Sequence, residues 1–95
     1  MKHYILVKWN ELVTDKVAII EDAKKVFSKC LKVEGIRAIE FLPNIVDKPN
    51  RYDLLIRIDM DKESLEDYIH SEGHIEWKEN YTKFIQSKAI FDSND

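Results

Sequence analysis

The chain has 95 residues, of which 44% are hydrophobic and 35% are charged, and its net charge at pH 7 is −3. A chain of this length forms one domain around one core, so we expect residues 1–95 to be a single domain. The acidic balance and the lack of a basic cluster argue against nucleic acid or an anionic membrane as the partner.

The cysteine content and the hydropathy of the chain bear on its location. Cys30 is the only cysteine, so no disulfide can form within the chain. This content is typical of a reducing compartment, and we expect a cytoplasmic protein. The chain contains no run of about 18 apolar residues, so no membrane span is predicted. The apolar start of the chain is too short for a signal peptide.

The first half of the chain predicts a strand, a helix and a second strand. The segment Lys2–Trp9 is rich in β-branched and aromatic residues, which favour a strand. Thr14 or Asp15 can cap a helix that runs to about residue 32, because apolar residues recur every three to four positions. Gly35 then precedes a strand over residues 36–42. One face of the first strand carries His3, Ile5, Val7 and Trp9.

The second half of the chain repeats this pattern of strand, helix and strand. Residues 52–60 alternate between apolar and polar side chains and predict the clearest strand. A short helix is expected from Asp61 or Ser64 through Ile69, and Ser71 can start a second helix. The helical spacing continues through His74, Trp77, Lys78, Tyr81 and Ile85, and the last strand is expected over residues 88–92.

The predicted order, β-α-β-β-α-β, is that of the ferredoxin-like α+β fold. Its helices cover one face of a four-stranded antiparallel sheet. On the other face Tyr4, Leu6 and Leu55 alternate with charged residues. An uncovered and half-apolar sheet face predicts a partner, and a second copy of the chain is the simplest one.

Several segments, in this order and spacing, resemble the stress-responsive A/B barrel domain family, known as Dabb. They are residues 2–9, Gly35-Ile36, residues 52–55, residues 65–69 followed by Ser71-Glu72-Gly73-His74, and Ile90-Phe91-Asp92. The resemblance covers almost the whole chain. It implies a homodimeric α/β barrel in which the sheets of two subunits pack face to face, in a family whose roles include stress responses.

The resemblance also implies candidate site residues. The family includes a plant polyketide cyclase that acts without a cofactor and uses a histidine as base. That base falls on His74, the tyrosine that orients it falls on Tyr68, and a first-strand histidine falls on His3. Leu54 stands where the cyclase has a third-strand histidine, and Val26 lies near the position of its first-helix tyrosine.

The residues themselves also favour His74 as a reactive group. If Ser71 caps the helix, His74 lies in the first turn, where the positive helix end favours a neutral imidazole. A neutral imidazole can act as a general base. The alternative is a structural histidine that packs its ring in the core. We predict a pocket between helices and sheet near His3, Tyr68 and His74, lined by Ile5, Leu54, Ile56, Trp77 and Tyr81.

Neither a cofactor nor a metal ion is expected. His70 and His74 are four residues apart, which suits zinc on a continuous helix, but Ser71 and Gly73 interrupt this one.

Taken with the uncovered sheet face and the predicted pocket, the resemblance predicts a homodimer that binds a small apolar ligand or serves a stress-related role. The alternatives are a cofactor-free, polyketide-cyclase-like enzyme with His74 as general base, and a purely structural homo-oligomer.

Overall fold

The structure, a computed structural model that describes residues 1–95, contains four strands and three α-helices. In chain order they are β1 (Lys2–Trp9), α1 (Lys16–Ser28), β2 (Ile36–Pro43), β3 (Leu54–Met60), α2 (Leu65–Ile69), α3 (Glu72–Tyr81) and β4 (Ile85–Ser93). The sheet order is β2-β3-β1-β4, and every neighbouring pair is antiparallel. The predicted ferredoxin-like α+β fold is confirmed.

The core lies between the sheet and the helices. The register places Ile5 of β1 opposite Ile56 of β3 on one side and Ile90 of β4 on the other. Burial alternates along β1 and β3 because successive side chains point to opposite faces of the sheet. The helices cover the inner face, and Phe27 of α1 packs its ring 5.0 Å from that of Trp77 in α3.

Two helix starts follow the predicted capping chemistry. The Asp15 carboxylate accepts a hydrogen bond from the Ala18 N–H at 3.0 Å and caps α1. The Ser71 hydroxyl accepts one from the His74 N–H at 3.3 Å and caps α3. The first α-helix ends at Ser28, earlier than predicted, and a 3₁₀ turn continues it through Lys29–Lys32.

Two strand boundaries differ from the sequence prediction. Strand β3 begins at Leu54 rather than at residue 52, because the Asp53 carboxylate accepts the Trp9 N–H at 2.7 Å. Strand β4 begins at Ile85, which the sequence pattern placed on the helix. The helix ends at Tyr81, and a 3₁₀ turn over Thr82–Phe84 brings Ile85 opposite Trp9.

The outer face of the sheet carries no helix. Tyr4, Leu6 and Leu55 are half-buried there, while Leu42 is 43% exposed and Phe91 is 65% exposed. The charged groups on this face pair within the chain. Arg57 contacts Glu40 at 2.6 Å and Lys2 contacts Asp59 at 2.9 Å. None of the helices has the length and apolar character needed to cross a membrane.

Candidate functional site

Three of the predicted site residues lie together where α2 gives way to α3. The rings of Tyr68 and His74 are 4.9 Å apart, edge to face. The His3 ring lies 5.5 Å from the Tyr68 ring, also edge to face, and comes from β1. We call His3, Tyr68 and His74 the ring cluster. It joins the first strand to the break between the two helices.

Ser71 fixes this break through one hydroxyl group. Its Oγ donates a hydrogen bond to the Tyr68 carbonyl at 2.6 Å and accepts one from the His74 N–H at 3.3 Å. The end of α2 and the start of α3 are therefore tied to the same side chain. This arrangement sets the relative position of the phenol and the imidazole.

Gly73 lets α3 approach α1 closely beside the ring cluster. A Cβ at this position would lie 2.5 Å from Cys30 Sγ and 3.1 Å from the Val26 carbonyl oxygen. Real Cβ atoms do not approach other atoms to 2.5 Å, so no larger residue fits here without displacement. Cys30 fills core volume on the other side of this contact and is fully buried.

The structure adds Asp92 to the site. Its Oδ1 lies 2.5 Å from His3 Nδ1, and the two residues are direct partners across β1 and β4. This contact satisfies one nitrogen of a histidine that is buried in the core. The sequence pattern placed Asp92 in the last strand but did not mark it as a site residue. The pairing of first and last strands in the ferredoxin-like order was the signal that could have suggested it.

Burial sets the protonation state of the other two rings. It lowers the pKa of His74, and the nearby charges of Lys78, Lys88 and His3 lower it further, while the Ile69 carbonyl opposes the shift. Burial also raises the pKa of the Tyr68 phenol well above its usual range. At neutral pH the site therefore presents a neutral imidazole beside a protonated phenol.

Two polar atoms of the ring cluster are buried without a hydrogen-bond partner in the chain. They are the Tyr68 hydroxyl oxygen and His74 Nδ1. The Ile69 carbonyl lies close enough to influence the imidazole, but it does not meet hydrogen-bond geometry with Nδ1. The third such atom of the protein, Trp9 Nε1, belongs to the opposite end of β1. Most buried polar groups in folded proteins are paired, so two unpaired atoms on neighbouring rings mark this place as chemically unusual.

The residues predicted to line a pocket lie in different places. Ile5, Ile56 and Trp77 are core residues with at most 2% of their surface exposed. Leu54 and Tyr81 each border a separate cavity, of about 400 and 390 Å³. None of the five main cavities is bordered by a residue of the ring cluster. A ligand pocket at the cluster stays a prediction.

The two histidines considered for zinc do not act together. His70 lies at the end of α2, exposed, with its Nδ1 2.8 Å from the Glu66 carbonyl oxygen. His74 lies in α3 and faces Tyr68 instead. Nowhere in residues 1–95 do three His, Cys, Asp or Glu side chains come together in a way that could hold a metal ion.

Comparison with known proteins identifies the fold. No protein-family model matches the chain, and no curated protein matches it. Solved structures do match. A dimeric ferredoxin-like protein of unknown function from Thermobifida fusca has a TM-score of 0.79 at 17% identity, over 95% of this chain and 85% of that one. At 17% identity, this similarity shows that the two proteins share a fold.

Two further solved structures share this fold. A Dabb family protein with a ferredoxin-like fold from Mesorhizobium loti has a TM-score of 0.74 at 11% identity, over 99% of this chain and 94% of that one. A hydroxynitrile lyase from Passiflora edulis has a TM-score of 0.75 at 6% identity, over 99% and 94%. The Dabb resemblance predicted from sequence is thus confirmed at the level of the fold.

Proposed function

We propose that this protein binds a small, largely apolar molecule carrying a carbonyl or phenolic oxygen at the ring cluster. The supporting observation is the pair of buried, unpaired atoms, Tyr68 OH and His74 Nδ1. A buried polar group without a partner costs about 1–3 kcal/mol. A ligand oxygen that accepts a hydrogen bond from the Tyr68 hydroxyl and lies against the His74 ring would recover that free energy.

The route to this site would run between α3 and β4. Lys88, Ile90 and Asp92 are the cross-strand partners of Val7, Ile5 and His3, and therefore lie on the helix side of the sheet. All three are exposed, Ile90 by 50%, so the helices leave this edge uncovered. Of the residues predicted to line the pocket, the core residues Ile5, Ile56 and Trp77 would supply the apolar surroundings, whereas Leu54 and Tyr81 border other cavities.

A titration with simple probes tests the binding site. Acetophenone carries the expected oxygen on an aromatic body, and ethylbenzene has a similar shape without it. Acetophenone should shift the amide signals of Tyr68, Ser71 and His74 in ¹H–¹⁵N NMR spectra. It should bind about five- to tenfold more tightly than ethylbenzene, as one hydrogen bond predicts.

Two histidine variants serve as a matched pair in this titration. His74→Ala should weaken the preference for acetophenone, because the ligand oxygen loses its contact with the imidazole while the Tyr68 hydroxyl remains. His70→Ala changes an exposed histidine four residues earlier and should leave the affinity unchanged. Equal affinities for both probes, or equal effects of both variants, would refute binding at the ring cluster.

We also propose that the protein is a homodimer that joins through the outer sheet face. Residues 1–95 would form one Dabb-type domain, located in the cytoplasm and serving a stress-related role. The support is the uncovered apolar group of Tyr4, Leu6, Leu42, Leu55 and Phe91. Because the charges on this face already pair within the chain, a second copy could cover it without burying unpaired charge.

Light scattering on wild-type and variant proteins tests the dimer. The wild-type protein should have twice the chain mass at micromolar concentration. Leu55→Arg places a charge in the proposed contact and should give a monomer. Val17→Arg adds the same charge to an exposed position of α1 and should leave a dimer. A monomeric wild-type protein, or a dimeric Leu55→Arg protein, would contradict the proposed interface.

A second candidate function is cofactor-free catalysis by proton abstraction beside a carbonyl. The specific observation in its favour is the lowered pKa of His74 next to a phenol that stays protonated. His74 would take the proton and the Tyr68 hydroxyl would stabilise the enolate oxygen. Because similar folds carry different activities, the fold does not select this function by itself.

An assay of linear polyketide thioesters separates catalysis from binding. The wild-type protein, His74→Ala and Tyr68→Phe are compared on the same panel. Loss of a catalytic base lowers the rate by about 10²–10⁴-fold. A loss of this size in His74→Ala with the fold retained would establish the enzyme. Equal rates for all three proteins would leave binding as the function.

A further inference from the structure

A second cavity lies at the opposite end of β1 from the ring cluster. It has a volume of about 390 Å³ and is bordered by the loop before α1, the first half of α1 and the end of α3. We call it the Tyr81 cavity. Its apolar wall includes Leu12, Val13, Ile19 and Phe84, and its polar groups include Asp22 and Tyr81. None of these residues belongs to the ring cluster.

Tyr81 is held rigidly and yet offers a free hydroxyl group. The side chain is buried, with the residue only 8% exposed, and its ring stacks on Trp77 at 5.0 Å and 22°. The phenol oxygen takes part in no hydrogen bond within the chain, and its raised pKa comes from burial, followed by the charges of Asp22 and Glu76. A phenol oriented in this way can serve a ligand in the cavity without rearrangement.

The charge at this cavity is negative. The ionisable residues that border it, besides Tyr81, are Asp15 and Asp22, and no lysine or arginine borders it. The Asp15 carboxylate is engaged in capping α1. Lys24, two residues beyond Asp22, pairs with Glu21 instead, at 3.0 Å. The Asp22 carboxylate is thus left without an ion pair beside the Tyr81 hydroxyl.

One aromatic residue of the cavity wall, Phe84, already has a cation partner in the adjacent residue of the chain. The Lys83 ammonium lies 5.1 Å from the centre of the Phe84 ring, in a cation–π contact. An aromatic ring, a free carboxylate and a buried phenol around one apolar cavity are together suited to a positively charged organic group. One unengaged carboxylate is too few for a metal ion, and negative charge disfavours anions.

We propose that the Tyr81 cavity binds a small organic ammonium ion with an apolar body. The ammonium group would donate hydrogen bonds to the Asp22 carboxylate and the Tyr81 hydroxyl oxygen. The body would pack against Leu12, Ile19 and Phe84. This site is independent of the ring cluster, so it can be present or absent whatever the outcome at Tyr68 and His74.

The test uses three probes of one shape and different charge. Phenethylammonium chloride, 2-phenylethanol and 3-phenylpropanoate are titrated into the wild-type protein at low ionic strength and followed by ¹H–¹⁵N NMR. Phenethylammonium should shift the amides of residues 12–22 and 80–84. It should bind about tenfold more tightly than the alcohol, as a charge-assisted hydrogen bond predicts, and the carboxylate should bind least. The preference should weaken in 0.5 M salt, where charges are screened within roughly 4–5 Å.

Conservative variants decide whether the named groups are responsible. Asp22→Asn keeps the shape of an exposed helix residue and should abolish the preference for the ammonium probe over the alcohol. Tyr81→Phe keeps the stacked ring and should weaken ammonium binding about fivefold. Asp67→Asn, an exposed acid on α2, should change nothing. Equal binding of ammonium and alcohol, unchanged preference in Asp22→Asn, or shifts confined to other residues would overturn the proposal.

Discussion

The two faces of the sheet are built from alternate residues of the same strands, but the helices cover most of one face and none of the other. On the inner face, Ile56 and Ile58 of β3 are fully buried. Between them on the outer face lies Arg57, and the neighbouring Leu55 remains half-exposed. The inner face thus holds the core and the ring cluster, whereas the outer face is the proposed contact with a second copy.

This difference separates two kinds of contribution. A residue on the inner face stabilises the subunit, because every apolar contact there is made within one chain. In the proposed dimer, a residue on the outer face contributes through association. The ring cluster belongs to the inner face through His3, so any chemistry it performs shares its supports with the core. Substitutions on adjacent positions of one strand should therefore have different consequences.

The largest expected effect separates adjacent residues of β3. Ile56→Ala should lower the free energy of unfolding by about 2–5 kcal/mol, because it leaves a cavity in the core. Leu55→Ala should act through the dimer, so its effect should depend on protein concentration. Urea denaturation at two protein concentrations measures both. Equal, concentration-independent losses would remove the distinction between the two faces.

The next effect concerns the helices that cover the inner face. Gly73→Ala should destabilise the protein by about 1–3 kcal/mol, because the added Cβ would meet Cys30 Sγ and force α3 away from α1. In a Cys30→Ala background the same substitution should cost less, since the sulfur is gone. A thermal-unfolding double-mutant cycle measures this coupling. Additive effects would mean that the close approach does not limit the packing.

The smallest expected effect is on pH dependence. The folded-state pKa of His74 lies below its unfolded value, so the unfolded chain binds more protons as the pH falls. The contribution of His74 to stability is therefore full above about pH 6.5, the unfolded value. It is lost as the pH falls from there through the folded pKa. NMR titration of the His74 ring should give a pKa below about 6.5, the ordinary value for histidine. A value at or above it would contradict a buried, neutral His74.

The alternation of apolar residues was sufficient to predict both sheet faces. Period-two patterns in β1 and β3 identify which side chains share a face, and the position of Ser71 before a helical pattern identifies a cap. Both predictions hold because they depend on neighbours within one element. The start of β3 was less predictable. The Asp53 side chain, rather than its strand pattern, determines the bonding with Trp9 there.

The candidate site shows what a sequence pattern leaves open. Pocket walls and core walls are both made of apolar residues on the inner face, so the pattern could not tell whether Ile5, Ile56 and Trp77 would border a cavity or fill the core. Asp92 could not be found without the β1–β4 register, because 89 residues separate it from His3. The Ser71 cap placed His74 in the first turn of a helix, and the family resemblance singled out Tyr68 and His3. The folded arrangement adds the carboxylate partner of His3.

The Tyr68→Phe variant tests the central claim most directly, because it removes only the unpaired hydroxyl of the ring cluster. If the hydroxyl serves a ligand, the free variant should be as stable as the wild-type protein or more stable, by up to about 1 kcal/mol. The rise in melting temperature produced by acetophenone should largely disappear. Thermal unfolding of both proteins, with and without acetophenone, gives both quantities. A destabilised Tyr68→Phe protein with an undiminished response to acetophenone would show that the hydroxyl supports the fold, and would contradict binding at this site.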